Sequence, residues 1–260
     1  MDSLIVEKKA AIGWITFNDP AKLNAMSYDM WAGLQPALSA FEHDDEVRVV
    51  VLTGAGDKAF VSGANISQFD KMRTAADAVA EYERVAEGAQ NALYNFPKPT
   101  MARIKGYCVG GGLNLALCCD VRIASSDSIF FLPAGKMGLG YRFTAIRNLV
   151  TAVGAANALD IFLSARRLDA DEALQKGIVQ QTVALAQFDQ AVEDYAAKVA
   201  ANAPMTLRAG KQMIREFQKL PADTDLEHMR ALIQSCFDSE DYAEGKRAFT
   251  DKRVPQFRGR

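Results

Sequence analysis

Histidine is nearly missing from this chain of 260 residues, which has two, and cysteine is scarce, with four. His43 follows Phe41-Glu42 at the end of a predicted helix and His228 sits in a late helical stretch; neither belongs to a motif, and both read as surface residues. Cys108, Cys118, Cys119 and Cys236 show no CxxC spacing, and the adjacent pair lies in an apolar helical run, which reads as reduced core thiols. GxGxxG, Walker and HExxH patterns are missing, as is any cluster with metal-ligand spacing, so no metal is expected. The net charge of −2 supplies no field that would favour nucleic acid or an anionic membrane. No apolar run approaches the ~20 residues that cross a bilayer, and the N-terminus lacks a charged-then-apolar signal pattern, so the expectation is a cytoplasmic soluble protein.

What is present is ordinary globular material, 49% apolar and 24% charged, long enough to bury a sizeable core. Strands are expected at Ser3–Lys8, Ile12–Asn18, Val47–Thr53, Thr100–Ile104, Val121–Ala124, Ile129–Leu132 and Ile178–Val183. Ser27 is a candidate N-cap for a helix carrying Met30, Trp31, Leu34, Leu38 and Phe41 at helical spacing. After residue 142 amphipathic helical stretches follow near 142–152, 169–176, 187–202, 204–219 and 225–250, with Pro204 and Pro221 marking starts or breaks. Strand–helix alternation with a helical end predicts an α/β core over 1–200 and a helical region over 201–260.

Two segments carry chemistry. Gly106-Tyr-Cys-Val-Gly110-Gly111-Gly112-Leu-Asn114 lies between an apolar strand and a helix-length apolar run. A glycine run there leaves backbone N–H groups at a helix N-terminus, where an oxyanion or phosphate can bind. Lys58-Ala-Phe-Val-Ser-Gly63-Ala64-Asn65-Ile66 also follows a strand and turn. Two amides converging from separate loops would form an oxyanion hole for an acyl or thioester carbonyl. Alternatively, both are tight turns whose glycines supply special dihedrals.

In this order the two segments resemble the crotonase (enoyl-CoA hydratase/isomerase) superfamily. The likeness starts at Asn18-Asp-Pro20-Ala-Lys-Leu-Asn24-Ala25. It continues through Ser62–Ile66, Gly110–Gly112, Asp120, Val153-Gly154 and Ala170–Gly177 to Ser239–Gly245 and Ala248-Phe249-Thr-Asp-Lys252-Arg253. The resemblance implies a spiral of ββα units with a C-terminal helical trimerisation region, assembled as a homotrimer or dimer of trimers. It also implies an acyl-CoA ligand, with coenzyme A entering as part of the substrate and no separate cofactor. Carried over, the N–H groups of Ala64 and Gly111 form the oxyanion hole. Lys22, Leu23, Ala64, Asn65 and Ile66 line the CoA path, with Gly110 and Ala134 also at substrate-binding positions. Phe249 and Lys252 help close the nucleotide site, and a lysine suits a phosphate on charge alone.

The departures from that pattern decide the expected reaction. Hydratases of the family use two glutamates; the first position is Asn114 here, and the second, after Phe131-Leu132-Pro133, is Ala134. A carboxamide donates and accepts hydrogen bonds but cannot deprotonate water. Since general acid–base catalysis contributes ~10²–10⁴-fold, ordinary hydration should be crippled. Decarboxylation of a malonyl-type thioester needs the hole and no C–H abstraction. Gly138-Leu-Gly140-Tyr141-Arg142 with Ile146-Arg-Asn-Leu149 looks like the corresponding segment of methylmalonyl-CoA decarboxylases, where the tyrosine orients the departing carboxylate. Those enzymes carry histidine at the Ala64 position and an acidic residue at the Asn114 position. Tyr141 can equally be a half-buried aromatic anchoring the next helix. The alternatives are an enoyl-CoA hydratase/isomerase of fatty-acid metabolism that borrows a carboxylate such as Asp70, Glu81 or Glu83, and a non-catalytic acyl-CoA-binding protein. A nucleic-acid role finds no support, because Thr74–Asn91 holds a single basic residue, Arg84.

Overall fold

The computed structural model describes residues 2–65, 76–216, 227, 231, 234, 237–253 and 255–256. Its centre is the strand Val49–Gly54 (β3), where all six residues are buried, as the run Val49-Val50-Val51-Leu52 predicts for a strand covered on both faces. β3 pairs in parallel with Ile12–Phe17 (β2) on one side and Thr100–Ile104 (β5) on the other. Leu4–Lys9 (β1) joins β2 antiparallel, and Val121–Ser125 (β7) and Gln181–Val183 (β9) extend the far edge in parallel. A second, three-stranded sheet takes Ala59–Val61 (β4), Tyr107–Val109 (β6) and Ile129–Phe131 (β8). The pairs β3–β4, β5–β6 and β7–β8 each give one strand to each sheet before a helix follows, which is the ββα repeat.

Helix Tyr28–His43 (α1) starts where Ser27 Oγ accepts from Met30 N at 3.2 Å, and it buries Met30, Trp31, Leu34, Leu38 and Phe41. It packs on Ala76–Tyr94 (α2), with Trp31 Nε1 donating to Tyr82 Oη at 3.0 Å. Gly111–Cys118 (α3) follows β6. Across the large sheet, Phe188–Ala200 (α6) sets Phe188, Val192 and Ala196 against Val49, Val51, Met101 and Ile123. Each large side chain buried there contributes roughly 1.5–3 kcal/mol. His43 is exposed, its Nδ1 2.7 Å from Ser39 O. Cys108, Cys118 and Cys119 are buried thiols outside any disulfide. His228 and Cys236 lie outside the described residues.

The chain divides into two compact units, Met1–Phe130 with Leu168–Phe217, and Phe131–Arg167 with Gln218–Arg260. None of the three junctions falls at the expected 200/201 boundary. Helix Pro204–Glu216 (α7) stays with the first unit because its Lys211 and Arg215 reach Asp120 at 2.6 and 2.9 Å.

Other expectations are also corrected. The strand expected at Ile178–Val183 begins only at Gln181, since the amides of Ile178 and Val179 bond Ala173 O and close helix Ala170–Gln175 (α5) instead. Helix Phe143–Ser164 (α4) runs beyond the expected 152, and by length and apolarity alone it could cross a membrane, contrary to the sequence expectation. Gly154, at φ 74° and ψ 162°, breaks its backbone ladder, an interruption that a hydrocarbon environment does not satisfy. Within the second unit, Glu240–Thr250 (α8) is the longest continuous described run of the expected late helix, begun by Ser239 Oγ accepting from Tyr242 N.

Candidate active site

The first unit gathers the loops singled out in the sequence. Asp19 and Pro20 lead into a 3-10 turn, Pro20–Lys22, after which Leu23 and Asn24 adopt φ of 53° and 54°. Asn24 is fully buried, and its carboxamide explains why an asparagine holds that conformation. Nδ2 donates to Ala55 O at 2.9 Å and Ala59 O at 2.8 Å, while Oδ1 accepts from Asp19 N at 3.0 Å. One side chain therefore fastens the Lys22–Leu23 loop to the loop before β4. The amide of Ser62 then donates to Leu23 O at 3.2 Å, and Ser62 Oγ to Lys22 O at 3.4 Å.

Ala64 sits beside Met26 in a parallel bridge. The bonds that hold it there belong to its neighbours: Met26 N donates to Gly63 O at 2.8 Å, and Asn65 N to Met26 O at 3.0 Å. In that pattern the N–H of Ala64 itself points away from Met26. Toward it comes the start of α3. Gly110 turns the chain at φ 53° and ψ −114°, a conformation in which a side chain is strained. Gly111 is the first helical residue, so its N–H has no intrahelical acceptor. A Cβ built on Gly111 would lie 3.9 Å from the Ala64 nitrogen. Gly112 lets α3 approach β4, for its Cβ position falls 2.2 Å from Val61 O. The two segments thus converge backbone to backbone, with small residues at the meeting point.

Asn114 follows one turn into α3, its N–H donating to Gly110 O at 3.0 Å. It is 4% exposed, and its Nδ2 donates to Gln90 Oε1, on α2, at 2.8 Å. Oδ1 makes no hydrogen bond among the described residues. No sequence motif marks Gln90, and this partnership is a buried contact that sequence reasoning missed. Burial pushes the thiols of Cys108 and Cys119 well above their ordinary range, which leaves them protonated and non-nucleophilic.

The candidate substitute carboxylates fare differently. Glu81 is clamped by Arg84 through two hydrogen bonds of 2.7 Å, which hold its carboxyl below the usual carboxylate range. A base that shares a proton near neutrality needs the opposite shift. Glu83 is half-buried on α2, seven residues before Gln90 and so about 10 Å along the axis. Asp70 and Ile66 lie outside the described residues.

Of the remaining site candidates in the first unit, Lys22 Nζ stands 3.9 Å from Asp19 and Asn65 is buried. The second unit holds the others. Ala134 is buried at the head of a 3-10 turn, Ala134–Met137, its carbonyl accepting from Leu139 N at 3.0 Å. Tyr141 stacks edge-on against Phe162, with ring centroids 6.0 Å apart, and Arg142 is the N-cap residue of α4. Phe249 is 56% exposed, and Lys252, at φ 54°, donates its N–H to Phe249 O at 3.3 Å.

Parallel ββα repeats with backbone amides converging at a helix N-terminus define the crotonase class of acyl-CoA enzymes. Residues 7–260 match the family model for enoyl-CoA hydratase/isomerase, and the chain belongs to that family. It is 32% identical over 253 residues to the short-chain-enoyl-CoA hydratase of Clostridium acetobutylicum, covering 97% of this chain and 96% of that one. Its fold is similar to that of an enoyl-CoA hydratase/carnithine racemase from Magnetospirillum magneticum, at TM-score 0.82 and 35% identity, over 100% of this chain and 97% of that one. It is also similar to a methylmalonyl-CoA decarboxylase in complex with 2-nitronate-propionyl-CoA, at TM-score 0.89 and 26% identity, over 99% of each chain.

Proposed function

We propose that this acyl-CoA enzyme is a lyase that decarboxylates a malonyl-type thioester through an enolate. The observation that carries the reading is Asn114. A carboxamide stands where the family's hydratases place a glutamate, and Gln90 holds it as a hydrogen-bonding group rather than a proton carrier. The second glutamate position is Ala134, whose side chain offers no polar group. The N–H groups of Ala64 and Gly111 are the proposed oxyanion hole. As the bond to CO₂ breaks, its electron pair moves into the thioester, and the two amides stabilise the charge on oxygen, each donor worth roughly 2.7–4 kcal/mol. Lys22, Leu23 and Asn65 are proposed to line the CoA path, and Phe249 and Lys252 to close it over the nucleotide. Tyr141 is proposed to orient the departing carboxylate. Arg142 is given no such role, because a salt bridge to that carboxylate would stabilise the ground state and slow its loss. The proposed working form is a homotrimer or dimer of trimers in the cytoplasm, with coenzyme A supplied by the substrate and no separate cofactor.

The names of the sequence relatives favour a second reading, enoyl-CoA hydration. It requires a carboxylate from elsewhere, and Glu81 is already engaged with Arg84. The test is to give the purified protein crotonyl-CoA and methylmalonyl-CoA and to follow hydration and CO₂ release. CO₂ release without hydration is expected. Hydration at a rate typical of the family's hydratases overturns the reading, and CoA binding with neither reaction makes the chain a binding protein. The substitutions Asn114→Glu and Ala134→Glu together should confer crotonyl-CoA hydration, raising it by on the order of 10²-fold or more.

A further inference from the structure

Asn114 and Gln90 are 4% and 6% exposed, and both carboxamides lie inside the first unit. Asn114 Nδ2 donates one N–H to Gln90 Oε1 at 2.8 Å, while Oδ1 is buried and without a hydrogen bond among the described residues. A buried acceptor left unsatisfied is costly, so one held in place by a second buried side chain points to a ligand that donates to it. Helical side chains lean back over the turn N-terminal to their own Cα, so Asn114 covers the turn that begins at Gly111. That turn is where the Ala64 and Gly111 backbones converge. The acceptor is therefore carried by the same helical turn as the proposed oxyanion hole.

Resting on the decarboxylase reading, we propose that Gln90 is a positioning residue that aims Asn114 Oδ1 at the water molecule which reprotonates the enolate. Loss of CO₂ leaves a carbanion equivalent whose carbon must gain a proton, and neither Asn114 nor Ala134 can supply one. The water gives one O–H to Asn114 Oδ1 and turns the other toward the α-carbon. The new C–H bond forms as that O–H breaks, the enolate collapses to the thioester, and the hydroxide left behind adds to CO₂. The sum is malonyl-type thioester plus water giving the shorter thioester plus bicarbonate, with no oxidant or reductant. Asn114 takes no proton at any point. It fixes the face from which the carbon is protonated.

The test is the stereochemistry of protonation. Fresh methylmalonyl-CoA is decarboxylated in deuterium oxide, and the configuration of the monodeuterated propionyl-CoA is read for wild type, Gln90→Leu, Gln90→Glu and Asn114→Ala, with thermal unfolding recorded for each. Wild type is expected to deliver deuterium to one face. Gln90→Glu keeps an acceptor for Asn114 Nδ2 and should keep the bias. Gln90→Leu should lose it and give both enantiomers equally while CO₂ is still released. Asn114→Ala should reach the same result by removing the acceptor, and it stands in if Gln90→Leu does not fold. Retained bias in Gln90→Leu or Asn114→Ala, or an unbiased wild type, overturns this inference alone. Failure of the wild type to release CO₂ overturns the decarboxylase reading and this inference with it.

Discussion

Gly111 directs the place where a side chain would begin toward the amide nitrogen of Ala64, 3.9 Å away, whereas at Gly112 the corresponding place is 2.2 Å from Val61 O. The neighbouring glycines thus answer to different constraints. Gly111→Ala meets only ordinary contact and should fold with unchanged stability, but its methyl comes within 3.9 Å of the Ala64 nitrogen, one of the two proposed oxyanion donors. CO₂ release should fall by on the order of 10²-fold, the scale of a lost oxyanion donor. Gly112→Ala drives a carbon into backbone and should cost at least about 2 kcal/mol, as over-packing does. Urea unfolding beside steady-state rates separates the two effects, and a destabilised Gly111→Ala protein would remove the distinction.

Replacing Asn24 by alanine removes three hydrogen bonds made by a fully buried side chain and leaves two carbonyls and one amide without it. The same change places alanine at φ 54°. A loss of about 2–4 kcal/mol is expected, because each unsatisfied buried group costs ~1–3 kcal/mol and some regain water. Equilibrium unfolding measures it. Weaker CoA binding should accompany it, since the Lys22–Leu23 loop loses its anchor.

Asp120 accepts from Thr100 N and Oγ1 at 2.8 and 2.9 Å, from Lys211 Nζ at 2.6 Å and from Arg215 Nη2 at 2.9 Å. Asp120→Ala leaves two cations facing one another with little solvent. The expected cost is about 2–4 kcal/mol, somewhat under the range for a fully buried pair because the carboxylate keeps some exposure. Limited proteolysis should then cut first in the 204–216 helix; cleavage unchanged from wild type would show that the helix does not depend on Asp120.

Glu244 accepts from Arg253 Nη1 and Nη2 at 2.5 and 3.0 Å and from Gln256 N at 2.9 Å. Arg253 foremost holds its carboxyl at about 2, against an ordinary 4.5. The unfolded chain therefore takes up this proton first as acid is added. The contribution to stability is complete above the ordinary value and is lost as pH falls toward the folded one. A carbon-detected NMR titration of Glu244 should show the low value, and Arg253→Met should return it toward 4.5.

The large sheet was legible because Val49-Val50-Val51-Leu52 and its neighbours carry enough consecutive apolar residues to declare a buried strand, and Ser27 announces α1 with a cap that forms as expected. The three-residue strands Ala59–Val61 and Tyr107–Val109 were not read from the sequence: flanked by serine and glycine, they are too short to show a period. Their pairing is nonlocal and exists only once the spiral closes. At the candidate site, the approach of the glycine run to the Ala64 segment was readable because close backbone packing restricts residue type. Gln90 was not, since a glutamine on an amphipathic helix has no pattern of its own and acquires meaning only from the asparagine it faces. The 204–216 helix was likewise visible as a helix, while its allegiance to the core depended on the unseen reach of Lys211 and Arg215 to Asp120.

A pair of carboxamides has no proton to gain or lose across the range in which proteins stay folded. A centre built on two glutamates rises and falls with acidity, because each must be in the right ionic form at once. If Gln90 and Asn114 work as proposed, the rate should run level across neutral pH, bending only where the substrate or the fold itself titrates.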